Sequence, residues 1–122
     1  MIIGIDLGTT NSLVAFPDAA GPRIIGGIVP SVVGMTLEGE LVVGRGAADL
    51  LLSHPRRVIY SVKRLMGKGA ADVKEDLRLF PFAVAEGSES VLRIRLGERV
   101  LTPPEVSAQI LRRLKLDAEA HF

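Results

Sequence analysis

Short apolar runs separated by turn-forming residues make up the first part of the chain. Residues 2–5 and 13–16 are such runs, and both are typical of buried β-strands. Only a short polar segment lies between them, which favours an antiparallel hairpin. Residues 23–25 are a candidate third strand, which the two glycines that follow are expected to interrupt.

The same kind of pattern continues further along the chain. Residues 32–33 and 41–43 flank a turn and predict a second hairpin. A short helix is expected over 47–52, ending before Pro55 because a proline disfavours helix in the residue that precedes it. Three more strands are predicted by apolar runs, at residues 82–85, 91–96 and 100–101.

Helical spacing marks two segments in the middle of the chain. The apolar residues of the first recur at i, i+1, i+4, i+7 and i+8 and predict one helix face: Val58, Ile59, Val62, Leu65 and Met66. Gly67 follows at the position of a C-cap glycine. A second short helix is predicted over residues 70–79, before Pro81.

The C-terminal segment carries the strongest helix signal. Thr102 and Glu105 have the spacing of a capping box, and Pro103 stands at the first helical position. An apolar stripe then runs to Ala118 without a stop signal, so we expect the helix, and the protein, to continue beyond Phe122.

Composition narrows the classes of function. Hydrophobic residues make up 48% of the chain, the net charge is +1, and there is no cysteine. No charged block favours nucleic acid or a membrane surface as a partner, and the basic pairs are interpreted mostly as solvated faces. Disulfides and thiol chemistry are excluded. The N-terminal apolar run is too short for a signal peptide, so we expect a cytoplasmic protein.

The polar segment of the first hairpin carries candidate chemistry. A turn of Gly8, Thr9 and Thr10 brings backbone N–H groups together, as anion-binding turns do. Asp6 would repel a bare phosphate but suits a Mg²⁺ ion bound beside it. The spacing is neither a Walker P-loop nor a dinucleotide fingerprint. A tight hairpin capped by Asp6 is the alternative.

The quoted motifs resemble those of a known family. Ile-Gly-Ile-Asp-Leu-Gly-Thr-Thr-Asn-Ser at residues 3–12 closely resembles the first phosphate loop of the Hsp70 (DnaK-like) chaperones. Ser-Val-Lys-Arg-Leu-Met-Gly at 61–67 is similar to a second Hsp70 signature, and the segments 30–33 and 102–107 follow in family order. The resemblance implies an α/β protein: a partial actin-like ATPase (ribonuclease H-like) fold with a mixed sheet and flanking helices, lobe I of the nucleotide-binding domain.

The resemblance also implies cofactors and roles for individual residues. The cofactors are ATP or ADP with Mg²⁺. Asp6 would hold the metal through water, and Lys63 would orient the attacking water and stabilise charge on the transferring phosphoryl group. The β- and γ-phosphates would be bound by four consecutive residues: Gly8, Thr9, Thr10 and Asn11.

Only part of the family's length is present. The resemblance places residues 1–30 and 103–122 in an inner subdomain and 31–102 in an outer one. A second phosphate loop, an adenosine pocket and a peptide-binding domain would follow after residue 122. The full protein is expected to use ATP to capture and release unfolded client peptides, with a J-domain co-chaperone and a nucleotide exchange factor as partners. The 122-residue chain alone is expected to be inactive.

Two features of the sequence concern its place within the family. Residues 23–30 are shorter than the family pattern and lack its Gly-x-Arg-Thr-Thr approach to Pro30, which indicates a divergent member. The form of the second signature is weakly typical of the branch that serves iron–sulfur cluster assembly.

Three alternatives to the chaperone interpretation remain: an actin-like filament protein, a sugar kinase of the same superfold and a binding-only module.

Overall fold

The first sheet contains the predicted N-terminal hairpin. The structure, a computed structural model, describes residues 2–87 and 91–122, apart from the side chains of Glu75 and Asp76. Strands β1 (Gly4–Leu7), β2 (Asn11–Asp18) and β3 (Gly21–Pro30) pair antiparallel in that order. The hairpin between β1 and β2 is therefore confirmed.

The third strand does not stop where the sequence predicted. β3 continues through Gly26 and Gly27, whose φ angles are +69° and +78°. The register shifts at this point, because Ser12 lies opposite Val29 whereas Val14 lies opposite Ile25. The two glycines adopt the left-handed backbone of a bulge, which L side chains rarely accept. The expected break is a bulge within one continuous strand.

The second sheet is built around β4 (Val32–Met35). It pairs antiparallel with β5 (Leu41–Val43) on one side and with β6 (Val58–Tyr60) on the other. Helix α1 (Arg45–Ser53) follows β5 and packs against β4. The predicted second hairpin and the helix over 47–52 are both confirmed.

The helix predicted across residues 58–66 was wrong. Val58 and Ile59 lie in β6, opposite Gly34 and Val33, and only a short 3-10 helix (Val62–Leu65) follows. Four of the five apolar positions are buried as predicted, whereas Met66 is exposed. The β-branched Val58 and Ile59 pack well on a pleated sheet, and pairing with β4 decides their conformation. Gly67 does adopt the positive φ expected of a C-cap glycine.

The remaining predicted strands form the third sheet. A 3-10 helix (Ala70–Val73) and α2 (Lys74–Leu77) occupy the segment where one helix was expected. The strands β7 (Ala83–Val84), β8 (Ile94–Leu96) and β9 (Arg99–Leu101) are antiparallel. The first two are shorter than predicted, and β9 begins one residue earlier than predicted.

Helix α3 (Pro103–His121) begins with the predicted capping box. The Thr102 hydroxyl accepts a hydrogen bond from the Glu105 N–H at 3.4 Å, and the Thr102 N–H donates to the Glu105 carboxylate at 3.0 Å. The Thr102 N–H and hydroxyl, which both donate to this carboxylate, lower the pKa of Glu105 below its ordinary value. The predicted start of this helix is confirmed.

Helix α3 connects the first two sheets. It contacts β1, β2 and β3 of the first sheet, β4 and β5 of the second sheet, and the Val62–Leu65 turn. Its buried face, which includes Val106, Ile110 and Leu114, belongs to one hydrophobic core shared with Val14 and Val33. Within the described ranges, no helix has the length and apolar character needed to cross a membrane. The division into an inner and an outer subdomain stays a prediction.

Candidate functional site

The predicted phosphate loop is an exposed connection between β1 and β2. Leu7 pairs with Ser12, so the chain reverses over residues 8–11. Thr9, Thr10 and Asn11 are exposed, and Gly8 is half-buried. The hydroxyl and N–H groups of the loop therefore lie at the surface, where a phosphate could reach them.

Gly8 is required by the shape of the loop rather than by a left-handed backbone. A Cβ atom at this position would overlap the backbone carbonyl oxygen of Asn11. Two real atoms cannot approach so closely, so any side chain at Gly8 would force the loop apart. The glycine thus allows the chain to fold back tightly on itself.

Ser31, directly before β4, fixes the loop through hydrogen bonds. Its hydroxyl donates to the Gly8 carbonyl at 2.8 Å and lies 2.7 Å from the Ser12 hydroxyl. Its backbone N–H donates to the Thr10 carbonyl at 2.9 Å. Ser12 and Ser31 are 1% and 3% exposed, so water does not compete for these hydrogen bonds. One buried residue thus fixes two of the loop's peptide groups.

Lys63 reaches the same loop from a distant part of the chain. Its Nζ donates to the Leu7 carbonyl at 2.7 Å, although 56 residues separate the two. Lys63 lies in the Val62–Leu65 turn, which begins after Ser61 in a left-handed conformation with φ +52°. The two predicted signatures, 3–12 and 61–67, therefore meet at one place.

These hydrogen bonds determine the direction in which the peptide groups of the loop point. In a trans peptide the N–H points away from the carbonyl, and the structure has no cis peptide in the described ranges. The carbonyls of Gly8 and Thr10 are bound by Ser31, so the N–H groups of Thr9 and Asn11 point away from that serine. The carbonyl of Leu7 is bound by Lys63 at the edge of the loop, so the N–H of Gly8 points to the opposite side of its own peptide. Such a set of N–H groups is what an anion-binding concavity requires.

The metal assignment has weaker geometric support than the phosphate loop. Asp6 lies in β1 opposite Leu13, and its side chain is exposed. In the part of the chain that the structure describes, no group of three or more His, Cys, Asp or Glu side chains could hold a metal ion. A single exposed carboxylate next to phosphate oxygens is compatible with Mg²⁺, which usually keeps several water ligands. The role of Asp6 stays a prediction.

Both signatures and their order along the chain can be compared with known families. The family model described as Hsp70 protein matches residues 2–122. The chain belongs to the Hsp70 family. The α/β class expected for part of an actin-like ATPase lobe is confirmed by this match and by the sheets with their helices.

The sequence did not reveal how the site is held together. Ser31 was part of a motif that resembles the Hsp70 family, but no role followed from its position in the sequence. Its partners, Gly8 and Ser12, lie 23 and 19 residues away. A serine directly before an apolar strand is the only available signal, and it is too common to identify such a contact.

Proposed function

We propose that this chain forms part of the ATP-binding domain of an Hsp70-type chaperone and binds the β- and γ-phosphates of ATP at residues 8–11. The observation that carries the proposal is the hydrogen bond from Lys63 to Leu7, which joins both family signatures at one loop. The loop N–H groups and the hydroxyls of Thr9 and Thr10 are donors for phosphate oxygens.

Lys63 is the residue we propose for catalysis in the full-length protein. Its ammonium group is held at the edge of the loop, where its charge stabilises negative charge on the transferring phosphoryl group and its remaining N–H bonds orient the attacking water. Mg²⁺, when bound near Asp6, would neutralise phosphate charge. Full catalysis needs groups on both sides of a cleft, so we propose that the 122-residue chain does not turn over ATP.

In the full-length protein, we propose that ATP binding and hydrolysis drive capture and release of client peptides in the cytoplasm. A J-domain co-chaperone and a nucleotide exchange factor would be the partners. The family match supports this assignment over the filament protein and the sugar kinase. The binding-only alternative, with an inert loop, is addressed by the experiment that follows.

Calorimetric titration with ADP and Mg²⁺ tests nucleotide binding by this loop. Lys63→Ala removes one charged donor and should weaken binding by about tenfold or more, since a hydrogen bond to a charged group contributes about 1.5–3 kcal/mol. Lys68→Ala is the matched control, because Lys68 is also exposed and follows the same turn. Equal affinities for both variants would contradict the assignment of Lys63. Steady ATP turnover by the 122-residue chain, lost in Lys63→Ala, would contradict its proposed inactivity.

A further inference from the structure

A cavity of about 400 Å³ lies between helix α3 and the strands β5 and β9. Helix α3 forms one wall with residues at i, i+3, i+4 and i+7, the first of which is Gln109. Strands β5 and β9 form the other wall. Six further side chains line it: Leu41, Val43, Arg99, Arg112, Arg113 and Leu116.

Arg113 is fixed in this cavity. Its Nη1 donates to the Val43 carbonyl at 2.9 Å, and its Nε lies 3.2 Å from both carboxylate oxygens of Asp117. Its side chain is still 42% exposed, so part of the guanidinium faces the cavity. The conformation of this cation is therefore set before any ligand arrives, which reduces the entropy that binding costs.

Two further guanidinium groups extend the positive charge. Arg99 and Arg112 are exposed, and in the described ranges neither forms an ion pair within 4.0 Å. Among the described residues no acidic side chain lines the cavity, so Asp117, which pairs with Arg113, and Glu105, whose charge interacts with Arg99, offset only part of the positive charge. A concave surface with charge of one sign concentrates the opposite charge. Of the basic pair at residues 112–113, Arg112 is exposed as the sequence indicated, whereas Arg113 is held by hydrogen bonds.

Three of the side chains that line the cavity are apolar. Leu41 and Val43 are half-buried, and Leu116 on α3 is 54% exposed. A ligand without an apolar part would leave these apolar side chains exposed to water, whereas a ligand with an apolar group next to its charges would bury them. The combination distinguishes the cavity from a general basic surface.

We propose that this cavity is a second ligand site, for an organic dianion of metabolite size whose two carboxylate or phosphate groups bind Arg99, Arg112 and Arg113. Guanidinium groups bind such anions through paired hydrogen bonds. The apolar body of the ligand packs against Leu116. The site shares no residue with the phosphate loop, so it stands whether or not the loop binds nucleotide.

Titration with phenylsuccinate, followed by NMR of the arginine Nε–H groups, tests the proposal. The Nε–H signals of Arg99, Arg112 and Arg113 should shift, while the amides of the phosphate loop should not. Succinate lacks the phenyl group and should bind about tenfold more weakly, because the surface of Leu116 stays exposed. Arg112→Gln should weaken phenylsuccinate binding by about tenfold.

Arg56→Gln is the control variant, since Arg56 is exposed on another surface and the net charge changes equally. It should leave the affinity unchanged. Three results would each overturn the proposal: no Nε–H shift at about 10 mM phenylsuccinate, shifts confined to other parts of the protein, or equal weakening by Arg56→Gln and Arg112→Gln. Loss of folding in Arg112→Gln is checked by its amide spectrum, and Arg99→Gln then replaces it.

Discussion

Removal of the Ser31 hydroxyl is expected to destabilise the phosphate loop, because the loop loses its hydrogen bond to this buried side chain. In Ser31→Ala the Gly8 carbonyl loses a hydrogen bond of 2.8 Å, and the Ser12 hydroxyl loses its buried partner at 2.7 Å. A buried polar group left without a partner costs about 1–3 kcal/mol. We therefore expect Ser31→Ala to lower the free energy of unfolding by about 2 kcal/mol, a large share of the stability of a small domain.

A double-mutant cycle separates this hydrogen bond from other effects. Ser12→Ala alone also removes one member of the buried pair, whereas the double variant leaves no hydroxyl unpaired at this position. The double variant should be more stable than the sum of the single changes predicts, by about 1 kcal/mol. Urea unfolding at 25 °C gives the free energy of unfolding of all four proteins. The control is Ser53→Ala at the exposed end of α1, whose free energy of unfolding is expected within about 0.5 kcal/mol of that of the unmodified protein.

If Ser31→Ala is as stable as Ser53→Ala and the cycle is additive, the buried hydroxyls do not hold the loop. The backbone hydrogen bond from the Ser31 N–H to the Thr10 carbonyl is unaffected by the change and would then account for the contact of Ser31 with the loop.

Three further predictions concern individual residues. Gly8→Ala should weaken ADP binding in calorimetry by at least about tenfold, since its Cβ would overlap a loop carbonyl; unchanged affinity would contradict the steric requirement. Gly97→Ala should destabilise the protein by about 1–3 kcal/mol in urea unfolding, because φ is +61° and the Cβ would lie 2.8 Å from Arg57 Nη1; a stability equal to the unmodified protein would oppose this. The Thr102 backbone N–H and hydroxyl lower the pKa of Glu105, so its charge stabilises the folded state fully above the unfolded pKa of about 4.3, and this stabilisation is lost as pH falls through the folded pKa. Thermal unfolding should therefore show Glu105→Gln less stable than the unmodified protein at pH 6 but not near pH 2, and a difference independent of pH would exclude the mechanism.

Local signals predicted much of the fold. The first hairpin and the capping box depend on residues close together in sequence, and both are confirmed. Val58 and Ile59 were misassigned because their apolar spacing fits a helix face and a buried strand alike. Pairing with β4 decides between the two conformations, because Ile59 lies opposite Val33, which is 26 residues earlier in the chain. Such a long-range contact leaves no mark in the local pattern.

The residues of the candidate site were predicted, but the contacts that hold them together were not. Glycine and hydroxyl residues after a strand indicate a phosphate loop from their chemistry alone. That Lys63 would lie against Leu7 depended on the family resemblance, since a lysine in isolation is usually a solvated side chain. The support from Ser31 and the fixed conformation of Arg113 arise from tertiary contacts, and neither residue's position in the sequence indicates its partners.

The most direct test of the central claim is an amide NMR titration of the 122-residue chain with ATP and Mg²⁺. We expect the amide signals of Gly8, Thr9 and Asn11 to shift together, and the shifts to diminish when EDTA removes the metal. Unchanged signals at these three residues in about 10 mM ATP and Mg²⁺, or shifts confined to the arginine-lined cavity, would contradict the central claim.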